Sequence, residues 1–152
     1  MIAQRRIISS LAGALCGAVL GLATPVAAQE ADAAAAPSLA LSLNSLTATE
    51  AGGCRLSFVI RNGLEADIDS LVTEAVLFDA EGQVATMTLF DFGTLPAGRP
   101  RVRQFDLAGQ GCDGISGVLV NGIGTCEGEG LTPAVCLDGL RLSSETDVEV
   151  SG

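Results

Sequence analysis

Apolar residues recur at every second position in several short runs. Leu39, Leu41 and Leu43 alternate with small or polar residues, and Leu56, Phe58 and Ile60 alternate with Arg55, Ser57 and Arg61. A period of two sends successive side chains to opposite faces, so each run predicts a strand with one core face. The second run ends at Asn62-Gly63, a turn signal. Leu71 to Phe78 is apolar except at Thr73 and Glu74, which predicts a central strand covered on both sides. Asp79-Ala-Glu-Gly82 predicts a compact hairpin turn, with Gly82 free to take positive φ. Gln83 to Phe92 predicts the returning strand, and Pro96-Ala-Gly98 another turn. Further strands are predicted over Arg101 to Leu107 and Ile115 to Val120, and Leu140 to Leu142 with Val148 and Val150 are placed to close the sheet. Short runs broken by glycine and aspartate favour an all-β, two-sheet sandwich of about seven strands over a helical fold.

The N-terminus follows a different pattern. Arg5 and Arg6 precede a nearly continuous apolar and small run from Ile7 to Leu22, and Val26 and Ala28 are small residues at the positions a signal peptidase requires. The pattern predicts a cleavable signal helix over residues 1–28. The run is short for a membrane span and contains Gly13, Gly17 and Gly21, so no stable anchor is expected after cleavage. Arg5-Arg6 matches the twin-arginine export pattern only in part, and the need for oxidation outside the cell leans towards the general route. Residues 29–37 are alanine-rich without periodicity and read as a flexible leader. Residues 38–152 then form a single domain.

Five cysteines occur in the chain, and Cys54, Cys112, Cys126 and Cys136 remain beyond the leader. An even count in an exported domain points to two disulfides. The Gly- and Pro-bearing segment 126–136 closes easily as a loop, which favours Cys126–Cys136 and leaves Cys54–Cys112. A zinc site is disfavoured because histidine is absent and the cysteine spacings are not paired closely. The pattern therefore predicts a periplasmic or secreted location.

Charge narrows the partners. The chain carries 18 acids against 8 basic residues, all arginine, for a net charge of -10. Such a surface repels nucleic acid and anionic lipid. No histidine, lysine or tyrosine is present, which removes the common general base, the Schiff-base amine and most metal and copper ligands. A carboxylate-pair hydrolase lacks the aromatic platforms of a sugar cleft. No enzyme, cofactor or metal is expected. Two acidic groups offer the oxygen ligands that calcium takes: Glu65, Asp67 and Asp69, and Glu127, Glu129 and Asp138. Neither has the spacing of an EF-hand loop. Gly122, Gly124, Gly128 and Gly130 carry acids where a phosphate would sit and read as loop glycines.

Against this acidic background, three arginines stand at alternate positions, Arg99, Arg101 and Arg103. Phe105 and Leu107 share their parity and look like core. Either a bulge near Gln104 switches the face, or the arginines lie beyond the rim of the core. In both cases the guanidinium groups are expected near the surface. They serve there as edge protection paired to the domain's carboxylates, or as a dock for an acidic envelope protein.

Leu77-Phe-Asp-Ala-Glu-Gly-Gln-Val84, Leu95-Pro-Ala-Gly98 and Phe105, with the upstream Phe58-Val-Ile-Arg-Asn62, resemble the pattern of bacterial immunoglobulin-like domains of the FxLyD type. The chain beyond the leader is also similar to small exported alphaproteobacterial proteins labelled "Tat pathway signal sequence domain protein". The resemblance covers about Leu56 to Leu107. It implies an immunoglobulin-like sandwich with a non-enzymatic binding or accessory role, and it carries over no catalytic residue. The cysteines and the Gly-rich region after Gly111 depart from that pattern. A calcium-dependent structural protein of the envelope is the alternative, and a small carboxylate hydrolase ranks last.

Overall fold

A computed structural model describes residues 37–152. The expected signal peptide, and all of the leader except Pro37, lie outside the described residues. Among the described residues eight strands form: β1 (Leu39–Ala48), β2 (Cys54–Asn62), β3 (Ile68–Phe78), β4 (Val84–Leu95), β5 (Pro100–Leu107), β6 (Gly117–Glu127), β7 (Leu140–Ser144) and β8 (Glu149–Ser151). A short helix, α1 (Pro133–Asp138), precedes β7, and a 3-10 turn spans Cys112–Gly114. The strands make a two-sheet sandwich. One sheet has the order β5-β2-β1-β7 and the other β4-β3-β6-β8.

The alternating runs provide the inner faces. Leu39, Leu41 and Leu43 from β1 and Leu56, Phe58 and Ile60 from β2 are buried, with Leu41 opposite Ile60 and Leu43 opposite Phe58. The second sheet contributes Leu71, Ala75 and Leu77 from β3, Phe90 and Phe92 from β4, and Val118 and Val120 from β6. Phe58 packs between the sheets, 5.5 Å from Phe90 and 5.8 Å from Phe92 between ring centroids. Burying one such ring contributes on the order of 2–3 kcal/mol by removing apolar area from water.

Three local expectations change. The C-terminal apolar positions do not close a single sheet but end both. β7 lies parallel to β1 in the first sheet, and β8 lies parallel to β6 in the second, so the chain crosses between sheets after Ser144. The strand expected over Ile115 to Val120 runs on to Glu127, so Gly122 and Gly124 are strand residues rather than loop residues. Its register against β3 shifts twice, between Val72 and Thr73 and between Glu74 and Ala75. Irregularities of this kind are where small residues without side-chain packing are tolerated. Finally, α1 was not expected. Its start is nonetheless conventional, because the Thr132 hydroxyl accepts a hydrogen bond from the Val135 amide and Pro133 occupies the first turn.

Two disulfides brace the ends. Cys54 at the start of β2 is joined to Cys112 after β5, and Cys126 on β6 is joined to Cys136 on α1. These are the pairs that the loop-closure argument favoured.

The outer faces differ in kind. On the first sheet, Arg55 pairs with Asp106 and Gln104 donates to the Ser57 hydroxyl at 2.9 Å. On the second sheet, β3 is central, flanked by β4 and β6. The expectation that β3 is covered on both faces is corrected here. On its outer side Glu74 is exposed, and although Val76 is buried between Met87 and Leu119 in register, Met87 is 66% exposed.

Candidate interaction surface

β4 and β5 are consecutive in the chain and each is an outermost strand of its own sheet. The turn Pro96–Arg99 carries the chain from one to the other, with the Arg99 amide donating to the Pro96 carbonyl and Gly98 at φ 68°. The two edges therefore flank one open side of the sandwich.

The arginine row sits here. β5 pairs with β2 from Cys54–Leu107 to Arg61–Pro100 without a register shift. No bulge occurs near Gln104, so Arg101 and Arg103 keep the parity of Phe105, and the second of the two sequence alternatives holds: they extend past the rim of the core. Phe105 packs 4.5 Å from Phe90 and 5.2 Å from Phe92. Arg103, the next position on that face, is half-buried beyond these rings. Its Nε donates to the Phe92 carbonyl at 2.7 Å, one Nη donates to the Thr94 carbonyl at 3.2 Å, and the other to its neighbour Val102 at 3.1 Å. Arg103 thus reaches from the edge of one sheet to main-chain acceptors on the edge strand of the other.

Arg101 and Arg99 behave differently. Arg101 donates only to the carbonyl of its neighbour Pro100, at 3.1 Å. Arg99 precedes β5, lies in the turn and is exposed. The three arginines therefore do not form one uniform row on a single strand. Among the described residues the sole ion pair is Arg55–Asp106, so none of Arg99, Arg101 and Arg103 reaches a carboxylate. Edge protection by pairing with the domain's own acids, one of the two sequence readings, is not how these guanidinium groups are used. In the Arg55–Asp106 pair, by contrast, the hydrogen bonds from the guanidinium hold the Asp106 carboxyl below its ordinary range and push Arg55 up.

The acidic groups are partly brought together. Glu65, Asp67 and Asp69 line an open depression with Glu129 from the disulfide loop, whereas Glu127 and Asp138 do not join them. The approach depends on Gly128, where a β-carbon would overlap the Asp67 carbonyl oxygen. One Asp67 oxygen already accepts from the Ala97 amide at 2.7 Å. Among the described residues no group of His, Cys, Asp or Glu side chains is arranged to hold a metal ion.

The β4 edge was missed as a feature of interest from sequence. Val84, Met87 and Leu89 are each more than 60% exposed, and no charge occurs between Glu81 and Asp91. The available signal was the absence of a charge, proline or polar run across a strand that ends a sheet. Comparison with protein-family models, with curated proteins and with solved structures returns no match.

Proposed function

We propose that this chain is a non-enzymatic binding or accessory domain acting in the periplasm or as a secreted protein. The two disulfides point to an oxidising, extracytoplasmic environment. The side-chain inventory, without histidine, lysine or tyrosine, favours recognition over catalysis. The observation that carries the reading is the state of Arg99 and Arg101. In a domain rich in carboxylates, both guanidinium groups stand at the open side of the sandwich with no carboxylate partner among the described residues. Arginine presents a planar, fork-shaped set of donors matched to carboxylate geometry, so the partner is an acidic envelope protein.

The test is capture from periplasmic and secreted fractions with the domain as bait. An acidic protein should be retained, and retention should weaken with salt because the contacts are exposed charges. Arg99→Gln with Arg101→Gln should abolish it, with Arg103 left in place because it serves the fold. Capture of nothing acidic, or capture indifferent to the double substitution, overturns the reading. A melting temperature raised by calcium would move the assignment to a calcium-dependent envelope protein.

A further inference from the structure

The sandwich has four outer strands, and three of them are guarded against pairing with another chain. β5 carries Pro100, Arg101, Arg103 and Asp106. β7 and β8 are only 5 and 3 residues long and each carries a charge, Arg141 and Glu149. Short length, charge and proline are the usual protections of an edge. β4 has none of them over its first half. It is 12 residues long, and Arg103 occupies carbonyls only at Phe92 and Thr94. From Val84 to Leu89 the strand is uncharged, apolar or threonine-bearing, and nearly every residue is exposed.

We propose that β4 is the interface for a second copy of this chain, paired antiparallel about a two-fold axis at Met87. A two-fold contact requires that the residue before the axis suits the residue equally far beyond it. Ala85-Thr86-Met87-Thr88-Leu89 meets that condition. Met87 faces its own copy, each threonine faces a threonine, and the large Leu89 faces the small Ala85. Threonine pairs and apolar pairs are favourable cross-strand neighbours. No like charges are opposed, since Asp91 meets the neutral Gln83. The register also carries the acidic hairpin turn of one copy, with Asp79 and Glu81, past Gly93 towards Arg101 and Arg103 of the other. That juxtaposition supplies opposite charge at both ends of the ladder, on a molecule whose overall charge of -10 otherwise opposes self-association. The shift in the β3–β4 register beside Ala85 and the Arg103 clamp limit the ladder to these few residues, so a closed pair forms and not a growing sheet.

Sedimentation velocity of the domain across a broad concentration range tests this. The expected result is a reversible monomer–dimer equilibrium with no larger species. Met87→Lys places two positive charges on the axis at an exposed position, and should weaken the dimer by about tenfold or more with an unchanged melting temperature. Glu81→Arg and Arg101→Glu should each weaken it, and the two together should restore it. A monomer at every concentration overturns the proposal, as does a dimer indifferent to Met87→Lys, a double charge reversal without restoration, or open-ended growth. Met87→Lys leaves Arg99 and Arg101 in place, so this variant used as bait separates the two readings: it should no longer retain its own chain but should still capture a different acidic protein.

Discussion

β4 and β5 are neighbours in sequence, lie at the same open side of the sandwich and each end a sheet, yet they solve the edge problem in opposite ways. β5 alternates Phe105 and Leu107 towards the core with Val102, Gln104 and Asp106 outward, and its outer polar groups are tied to β2 through Asp106–Arg55 and Gln104–Ser57. β4 turns Phe90 and Phe92 into the core but leaves Met87 and Leu89 in solvent. One edge is closed by charge, and the other is closed only where an arginine borrowed from the first lies across it. The contrast teaches that edge protection is a property of a pair of sheets and need not reside on the strand it protects.

Four experiments break or sharpen this comparison. Along β4 itself, Phe92→Ala should cost about 3–5 kcal/mol by opening a cavity among the phenylalanine rings. Met87→Ala, five residues earlier on the solvent side, should stay within about 0.5 kcal/mol. Denaturant titration of dilute protein measures both, and equal losses would show that the outer face is packed. Next, Cys54→Ala with Cys112→Ala frees the end of β5 from the start of β2. The expected loss is about 2–4 kcal/mol, and β5 amides should exchange faster while β4 amides change less.

Arg103 and Arg101 should then separate. Arg103→Gln removes charge-assisted bonds to Phe92 and Thr94, worth about 1.5–3 kcal/mol for a half-buried group, whereas Arg101→Gln should cost less than about 1 kcal/mol. Comparable small losses would mean that Arg103 does not clamp the sheets. The smallest effect concerns the protected face. The hydrogen bonds from Arg55 lower the Asp106 pKa, so the folded state binds a proton at Asp106 less readily than the unfolded chain. The pair's contribution is therefore present above the ordinary carboxylate range and is lost as pH falls through it. Melting curves of Arg55→Gln against the parent should differ slightly at neutral pH and converge in acid, and the difference should shrink with salt.

Much of the sandwich was legible from local pattern. The β2 and β5 alternations, the Asp79–Gly82 turn with Gly82 at φ 77°, and the loop-closing cysteine pair are all set by residues close together in the chain. Less local features were not. α1 has only one turn and a half, so its Thr132-Pro133 start was too brief a signal to separate from a loop. Gly122 and Gly124 read as loop because glycine disfavours strands, but β6 stays paired with β3 by passing over Asn121 and Gly124 as extra residues where its register shifts. The apolar positions after Leu140 gave no clue to which sheet each would join.

The candidate surface divides along the same line. That Arg99, Arg101 and Arg103 stand at alternate positions beside core phenylalanine follows from the chain, and so does the choice between a bulge and an overhanging rim. Only the folded molecule decides between them, because the answer rests on whether β2 and β5 stay in register and on which acceptors lie within reach of the arginine side chains. The sequence by itself determined the strand period, the cysteine pairing and the absence of histidine, lysine and tyrosine, since these depend on residue identity and near neighbours. Which edges are left open, and that an arginine on one sheet closes part of the other, were decided by tertiary structure, because they depend on contacts between segments that local propensity does not couple.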